Sequence, residues 1–219
     1  MSVLRRFAAS ARKVLLLLLL TAIASPAAAQ SRFEAGVSAT WTGGFDAGGL
    51  DALETRNPGT GSSPLTLFAT SSRVEPAAGA VAHAAFYLTP RLAIEAVFEY
   101  SRPTLHTDIS NDFEGATGTT AETAVSSYVI GGSLLYYFGE GRFVPFVSGG
   151  AGHLRQLDEG DVTLVTGLEL HGGGGVKFGL SRNLSLRAEA EASSRDKSIG
   201  FDDVRHTVPR LSAGISYRF

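Results

Sequence analysis

Apolar and polar side chains alternate along residues 183–195, NLSLRAEAEASSR. Leu184, Leu186, Ala188, Ala190 and Ala192 take every second position, and Ser185, Arg187, Glu189, Glu191 and Ser193 lie between them. Side chains on a strand point to opposite faces in turn, so this stretch has one apolar face and one charged face. Seven other segments carry the same period. The first, 31–45, sets Phe33, Ala35, Val37, Ala39 and Trp41 against Glu34, Ser38, Thr40 and Thr42. The second, 73–88, sets Ala78, Ala80, Ala82, Ala84, Phe86 and Leu88 against Glu75, Gly79, His83 and Tyr87. In the third, 91–107, Leu92, Ile94, Ala96, Phe98 and Tyr100 oppose Arg91, Glu95, Glu99 and Ser101. The fourth, 122–138, places Tyr128, Ile130, Leu134, Tyr136 and Phe138 opposite Ser127, Gly131, Ser133 and Tyr137. The fifth, 142–156, is interrupted by Gly149, Gly150 and Gly152; Val144, Phe146 and Leu154 are read there as the apolar face, away from Val147, His153 and Arg155. The sixth, 164–180, sets Leu168, Leu170, Val176, Phe178 and Leu180 against Glu169, His171 and Lys177. The opening stretch is the seventh. The eighth, 207–219, sets Leu211, Ala213, Ile215, Tyr217 and Phe219 against Arg210, Ser212, Ser216 and Arg218.

The connections sort by length. Thr89-Pro90, Gly139-Glu140-Gly141 and Ser181-Arg182-Asn183 are tight, whereas those after the odd-numbered segments are longer, notably 46–72 and 108–122. An even number of strands with short turns at one end and long loops at the other predicts an all-β, eight-stranded antiparallel up-and-down transmembrane barrel. A soluble meander has no reason to sort its turns in this way.

The polar faces bear on which side meets water. Glu34, Glu75, Glu95, Glu99, Glu169, Glu189 and Glu191 are matched in number by Arg91, Arg155, Lys177, Arg187, Arg195, Arg210 and Arg218. An enclosed interior needs such matching, because a charge taken out of water is costly unless paired and hydrogen-bonded. The charges are therefore expected inside, as a polar network, with the apolar faces toward lipid. Phe86, Tyr136, Phe138, Phe143, Phe146, Phe178, Tyr217 and Phe219 collect near the short turns, and Trp41, Tyr100 and Tyr128 near the other rim, as interfacial belts do.

Composition narrows the picture. Arg5, Arg6, Arg12 and Lys13 precede an apolar run, Val14 to Ala24, and a small-residue site at Ala27–Ala29, so residues 1–29 read as a cleaved signal peptide and 30–219 as one barrel domain. Losing those four bases leaves 15 Lys+Arg against 21 Asp+Glu, a net charge of −6, which argues against a nucleic-acid partner. There is no cysteine, and so no disulfide or thiolate metal site. After the signal no apolar run approaches the roughly 20 residues of a spanning helix, so a membrane crossing must be by strands.

The terminal VPRLSAGISYRF, together with TPRLAIEAVFEYS, FGEGRFVPFVSGGAG and GGGGVKFGLSRNLSLRAEAE, resembles the small outer-membrane β-barrel family, the OmpA/OmpX-like eight-stranded barrels. The resemblance implies location in the bacterial outer membrane as a multi-pass barrel. It implies contact with outer-membrane lipid and lipopolysaccharide, and recognition of Ile215, Tyr217 and Phe219 by the barrel-assembly machinery. The chain stops at its eighth segment, so a periplasmic peptidoglycan-binding domain is not expected.

Eight strands enclose a space that side chains can fill, which argues against a wide diffusion channel. The expected role is structural, for envelope integrity, or surface interaction in adhesion or evasion, through an extracellular ligand at the long loops of a monomer, without catalysis or cofactor. Two alternatives stay open: a small outer-membrane barrel enzyme acting on lipid A or peptides, and a soluble periplasmic lipocalin-like binding barrel. His83, His106, His153, His171 and His206 are the only histidines available as a catalytic base, and none sits in a local Ser/His arrangement. His153 and His171, both read as inward with Glu169 nearby, form a possible metal or proton-sensitive cluster, set against hydrogen-bonded histidines of a polar plug. The GGGG run at 172–175 lacks the strand-to-helix context of a phosphate loop and reads as close strand packing. Segment 46–72 is Gly/Ser/Thr/Pro-rich and reads as a loop, with Leu50, Leu53, Leu65, Leu67 and Phe68 suited to a partner or to folding on itself.

Overall fold

Residues 32–54, 65–110, 119–158, 162–196 and 205–219 are described by the computed structural model; the expected signal segment lies outside them. In chain order the strands are β1 (Phe33–Thr42), β2 (Phe45–Gly48), β3 (Asp51–Glu54), β4 (Leu65–Val74), β5 (Ala77–Thr89), β6 (Leu92–Ser101), β7 (Thr104–Ser110), β8 (Thr119–Ala124), β9 (Ser126–Tyr137), β10 (Phe143–Leu157), β11 (Thr163–Gly179), β12 (Leu184–Arg195) and β13 (His206–Arg218). Eight of them close into an antiparallel barrel in the order β1-β13-β12-β11-β10-β9-β6-β5. Each of the eight alternating segments supplies one barrel strand. Closure removes every free edge in the wall, the only way a sheet can satisfy its backbone within lipid.

The turns at one end are short for local reasons. Thr89 Oγ1 accepts hydrogen bonds from the amides of Arg91 and Leu92 at 3.2 and 3.0 Å, and Ser181 Oγ accepts one from Leu184 at 3.1 Å. In the β9–β10 turn Gly141 has φ 126°, a conformation that side chains with a Cβ rarely adopt.

At the opposite end one half of the wall continues. β1 runs on as β2, β5 is preceded by β4, β6 runs on as β7, and β9 is preceded by β8; these pair as β2-β4-β7-β8, with β3 also on β4. The expectation of loops at 46–72 and 108–122 is therefore corrected. Their described parts are largely strand, because the pairing of β5 with β6 and of β6 with β9 is continued by β4–β7 and β7–β8 beyond the barrel.

The faces follow the period of two with one exception. Ile130, 63% exposed, and Val37, Phe98, Leu134, Leu168 and Leu211 point out of the barrel, while Glu34, Glu95, Glu99, Glu169, Arg187 and Arg210 are buried within. On β10 the expected parity is inverted: Phe146 and Leu154 are buried inside, and Val147, His153 and Arg155 face out. Pairing fixes this. His153 stands opposite Ile130 on β9 and Leu168 on β11, both lipid-facing residues, whereas Gly152 stands opposite inward Glu169. The glycines on β10 carry no polarity signal, so its few larger side chains misled the sequence reading.

The GGGG run belongs to the packing of this interior. A Cβ on Gly173 would lie 2.6 Å from Glu191 Cα, and one on Gly175 would lie 2.8 Å from the Phe146 ring. The missing side chains of β11 make room for the long ones of its neighbours.

Candidate functional site

The barrel interior is the densest collection of chemistry in the molecule. It is built from three knots stacked along the axis.

The knot at the short-turn end centres on Glu34. Lys177 Nζ pairs with Glu34 Oε2, Tyr87 Oη donates to the same oxygen at 2.9 Å, and Lys177 also donates to Tyr87 Oη at 2.9 Å. Tyr137 stacks on Tyr87 with ring centroids 5.6 Å apart, and the Arg218 guanidinium lies 3.8 Å from the Tyr87 ring centroid. Lys177 is thus held by a carboxylate, a hydroxyl and two ring faces, which hold a cation better in a desolvated site than in water.

In the middle, Arg187 spans Glu95 with a fork of 2.5 and 3.1 Å and reaches Glu189 at 2.7 Å. Ser148 Oγ donates to Glu189 at 2.6 Å, and the Arg187 guanidinium lies 4.9 Å from the Phe146 ring centroid. A planar guanidinium suits this task because its donors match a carboxylate two at a time.

Toward the long-loop end, Arg210 is the hub. It pairs with Glu99, reaches Glu169 at 3.2 Å and clasps Glu191 through two nitrogens at 2.5 and 2.9 Å. Arg195 pairs with Glu169 at 2.9 Å, and Thr42 donates to Glu99 at 3.3 Å. Leu154, Val125, Val208 and Ala47 are buried near this end of the wall.

Glu95, Glu99, Glu169, His171, Lys177, Arg187, Glu189, Glu191 and Arg210 therefore line the interior, and Arg218 sits half-buried at its mouth. His153 and Arg155 do not. They face outward by the inverted parity of β10, so the proposed inward pairing of His153 with His171 is ruled out, and the two histidines lie on opposite sides of the wall. The seven-to-seven charge match also changes. Arg91 is exposed in a turn and Glu75 lies at the β4–β5 junction, which leaves Glu34, Glu95, Glu99, Glu169, Glu189 and Glu191 against Lys177, Arg187, Arg195, Arg210 and Arg218 inside the barrel. Sequence reasoning missed Ser148 and Gln156 as interior residues. Val147, apolar and 45% exposed, was the signal that could have set the parity of their strand.

The structure pairs two histidines with serines. Ser133 Oγ lies 2.8 Å from His171 Nε2, and Ser216 Oγ lies 3.3 Å from His83 Nε2. Nucleophilic catalysis needs a base oriented by a third group and room for a substrate. His171 Nδ1 has no hydrogen-bond partner among the described residues, and the void beside it measures about 20 Å³. That is room for about one water molecule and not for a substrate. These pairs are hydrogen bonds of a plug. The larger space, about 610 Å³, is a vestibule at the short-turn mouth lined by Arg32, Glu34, Tyr87, Lys177, Arg182 and Arg218 among others.

Wall and plug together describe a sheet made to stand in lipid, apolar outside and ion-paired inside. The sequence model of the outer membrane protein beta-barrel domain matches residues 14–219. The chain belongs to this outer-membrane β-barrel family. Among solved structures it is similar in fold to Neisserial surface protein A, with a TM-score of 0.54 at 17% identity, covering 86% of this chain and 98% of that one. It is similarly related to the outer membrane protein OprG from Pseudomonas aeruginosa, with a TM-score of 0.54 at 12% identity, covering 85% and 95%. No curated protein matches the chain. Among the described residues no helix is long and apolar enough to cross a membrane, and the strands of this outer-membrane barrel make the crossing. In barrels of this family short turns face the periplasm and longer loops the exterior. The vestibule opens at the short-turn end, and the β2-β4-β7-β8 sheet extends from the opposite one.

Proposed function

We propose that this outer-membrane barrel is a non-enzymatic surface-interaction protein, a closed stem that carries a recognition sheet outside the cell. The observation that supports this reading is the one-sided extension of the wall. β1, β5, β6 and β9 continue past the rim marked by Trp41, Tyr100 and Tyr128 into a sheet whose outer face carries Asp46, Arg73, His106 and Glu122 in one cross-strand row. His106 lies 3.3 Å from Asp108 and 3.4 Å from Glu122, so the row is polar and laterally tied. The plug beneath it favours a scaffold over a conduit, since recognition residues commonly sit on loops held by a rigid frame. Lipopolysaccharide surrounds such a stem. Ile215 and Tyr217 on the lipid face, with Phe219 closing the seam through its amide on the Phe33 carbonyl at 3.0 Å, suit a C-terminal assembly signal.

The test compares cells displaying the intact chain with cells displaying a variant in which residues 45–74 and 104–124 are replaced by short turns. Both are assayed on immobilised matrix and serum glycoproteins. Retained heat-modifiable migration with adhesion lost in the variant is the expected result. Unchanged adhesion after trimming, or none by the intact chain, would remove the proposal.

A further inference from the structure

The vestibule at the short-turn mouth divides by charge. Arg32, Arg218 and Arg182 line it from neighbouring strand ends, those of β1, β13 and the β11–β12 turn, with Lys177 behind them on β11. The facing side, from the β5–β6 and β9–β10 turns, supplies Pro90, Gly139, Gly141 and Val144, with Glu140 as its carboxylate. Glu34, the other acid of the lining, already holds Lys177 and the Tyr87 hydroxyl. Among the described residues no carboxylate lies within ion-pair reach of Arg32 or Arg182, and Arg218 stands 3.8 Å from Glu34 with its Nε in no hydrogen bond. Lying over the Tyr87 ring engages the face of the Arg218 guanidinium and leaves its edge donors for another acceptor.

The wall fixes the backbones of all three arginines. The Arg32 carbonyl accepts the Tyr87 amide at 2.8 Å, and the Arg218 amide donates to the Asn183 carbonyl at 2.8 Å. The Leu180 and Ser181 amides, on the Leu184 carbonyl at 2.9 and 3.0 Å, close the turn that carries Arg182. Two strand spacings separate β1 from β12, about 10 Å.

Each arginine alone is solvated and calls for no partner. Their convergence on one concavity of about 610 Å³, in a chain whose acids outnumber its bases, selects an anion, because a cleft lined by one sign of charge focuses the field. We propose that the vestibule binds a compact organic anion with two or more carboxylate or phosphoryl groups, a solute of the compartment that the short turns face. Arg32, Arg218 and Arg182 hold the charged groups, and the uncharged part rests against Pro90 and Val144. A singly charged ligand can occupy one guanidinium fork, whereas a multivalent one spans several. The volume is that of a small-molecule site.

The refolded mature chain in zwitterionic micelles is to be titrated with citrate, pyrophosphate and acetate, and amide shifts followed by NMR. Citrate or pyrophosphate is expected to bind saturably and about tenfold or more tighter than acetate, the worth of one further charge-assisted contact. Its shifts are expected at the short-turn end, around Gly141 and Asn183, and the tighter of the two names the anionic group. Arg218→Gln and Arg182→Gln are each expected to weaken binding about tenfold. Arg142→Gln, whose guanidinium lies 5.5 Å from the Phe178 ring centroid and outside the vestibule lining, is expected to leave it unchanged. Heat-modifiable migration checks that each variant has closed, and Arg182, exposed in a turn, carries the test if Arg218→Gln does not close. Absence of saturation by both polyanions, acetate binding as tightly, or undiminished binding by the closed arginine variants would each overturn the assignment.

Discussion

The two ends of the plug solve one problem in different ways. At the short-turn mouth Lys177 and Arg218 share Glu34 and rest on the rings of Tyr87 and Tyr137, beside a vestibule of about 610 Å³. Deeper in, Arg187 and Arg210 divide Glu95, Glu99, Glu169, Glu189 and Glu191 between them, around a void of about 20 Å³. Water reaches the first knot and can take over part of a lost partner's role. The second has room for about one water molecule, so each guanidinium there, helped by Arg195, Ser148 and Thr42, is the main compensation for several carboxylates. The difference teaches that the plug's sensitivity depends less on how many ion pairs a residue makes than on whether solvent can replace them.

This ordering can be broken by substitution. Arg210→Ala is expected to cost most, about 3–5 kcal/mol in denaturant unfolding of the refolded barrel, because it leaves Glu99 and Glu191 with only the hydroxyls of Thr42 and Ser148, and Glu169 with Arg195 alone. Converting Glu99 and Glu191 to Gln in the same chain should restore much of that loss, as a double-mutant comparison would register. Arg187→Ala is expected to cost about 3 kcal/mol, since Ser148 still donates to Glu189 while Glu95 loses both its bonds to Arg187. At the mouth Lys177→Met should cost only about 1–2 kcal/mol, because the buried Glu34 keeps the Tyr87 hydroxyl and the half-exposed Arg218 guanidinium beside it. Arg218, with a side chain 39% exposed, should cost below about 1 kcal/mol on removal. If Lys177→Met proved as damaging as Arg210→Ala, the contrast between a wet and a dry knot would fail.

How far this was legible in sequence depended on what each position could signal. Leu186, Arg187, Ala188 and Glu189 declare their faces through strict alternation, and β12 lies where that alternation put it. The presence of many acids and bases on the polar faces announced an ion-paired interior, but not its membership. Arg91 reads as inward by parity alone and sits in a turn, where parity no longer applies. Partnership was not legible either. Arg187 and Glu95 are 92 residues apart, and only barrel closure brings them together. The outer sheet was hidden for a different reason: its strands are short and polar, held by pairing with neighbours and not by an apolar face of their own.

The smallest expected effect sharpens the comparison at the wall that separates plug from lipid, on the strand where sequence and structure disagree. His153 and Leu154 are adjacent, yet one faces Ile130 and Leu168 on the outside and the other is fully buried within. His153→Leu places an apolar group in the lipid band and should change stability by less than about 1 kcal/mol, in the favourable direction. Leu154→Asn, similar in size to leucine, puts an amide into a dry pocket and should cost about 2 kcal/mol or more. The parity read from sequence demands instead that His153→Leu cost stability by stripping a polar group from the plug, while Leu154→Asn is costly on either face, so the sign of the change at His153 discriminates. Denaturant midpoints of the two variants, measured in the same liposomes, decide between the two faces, and with them whether Arg155 belongs to the plug or to the membrane.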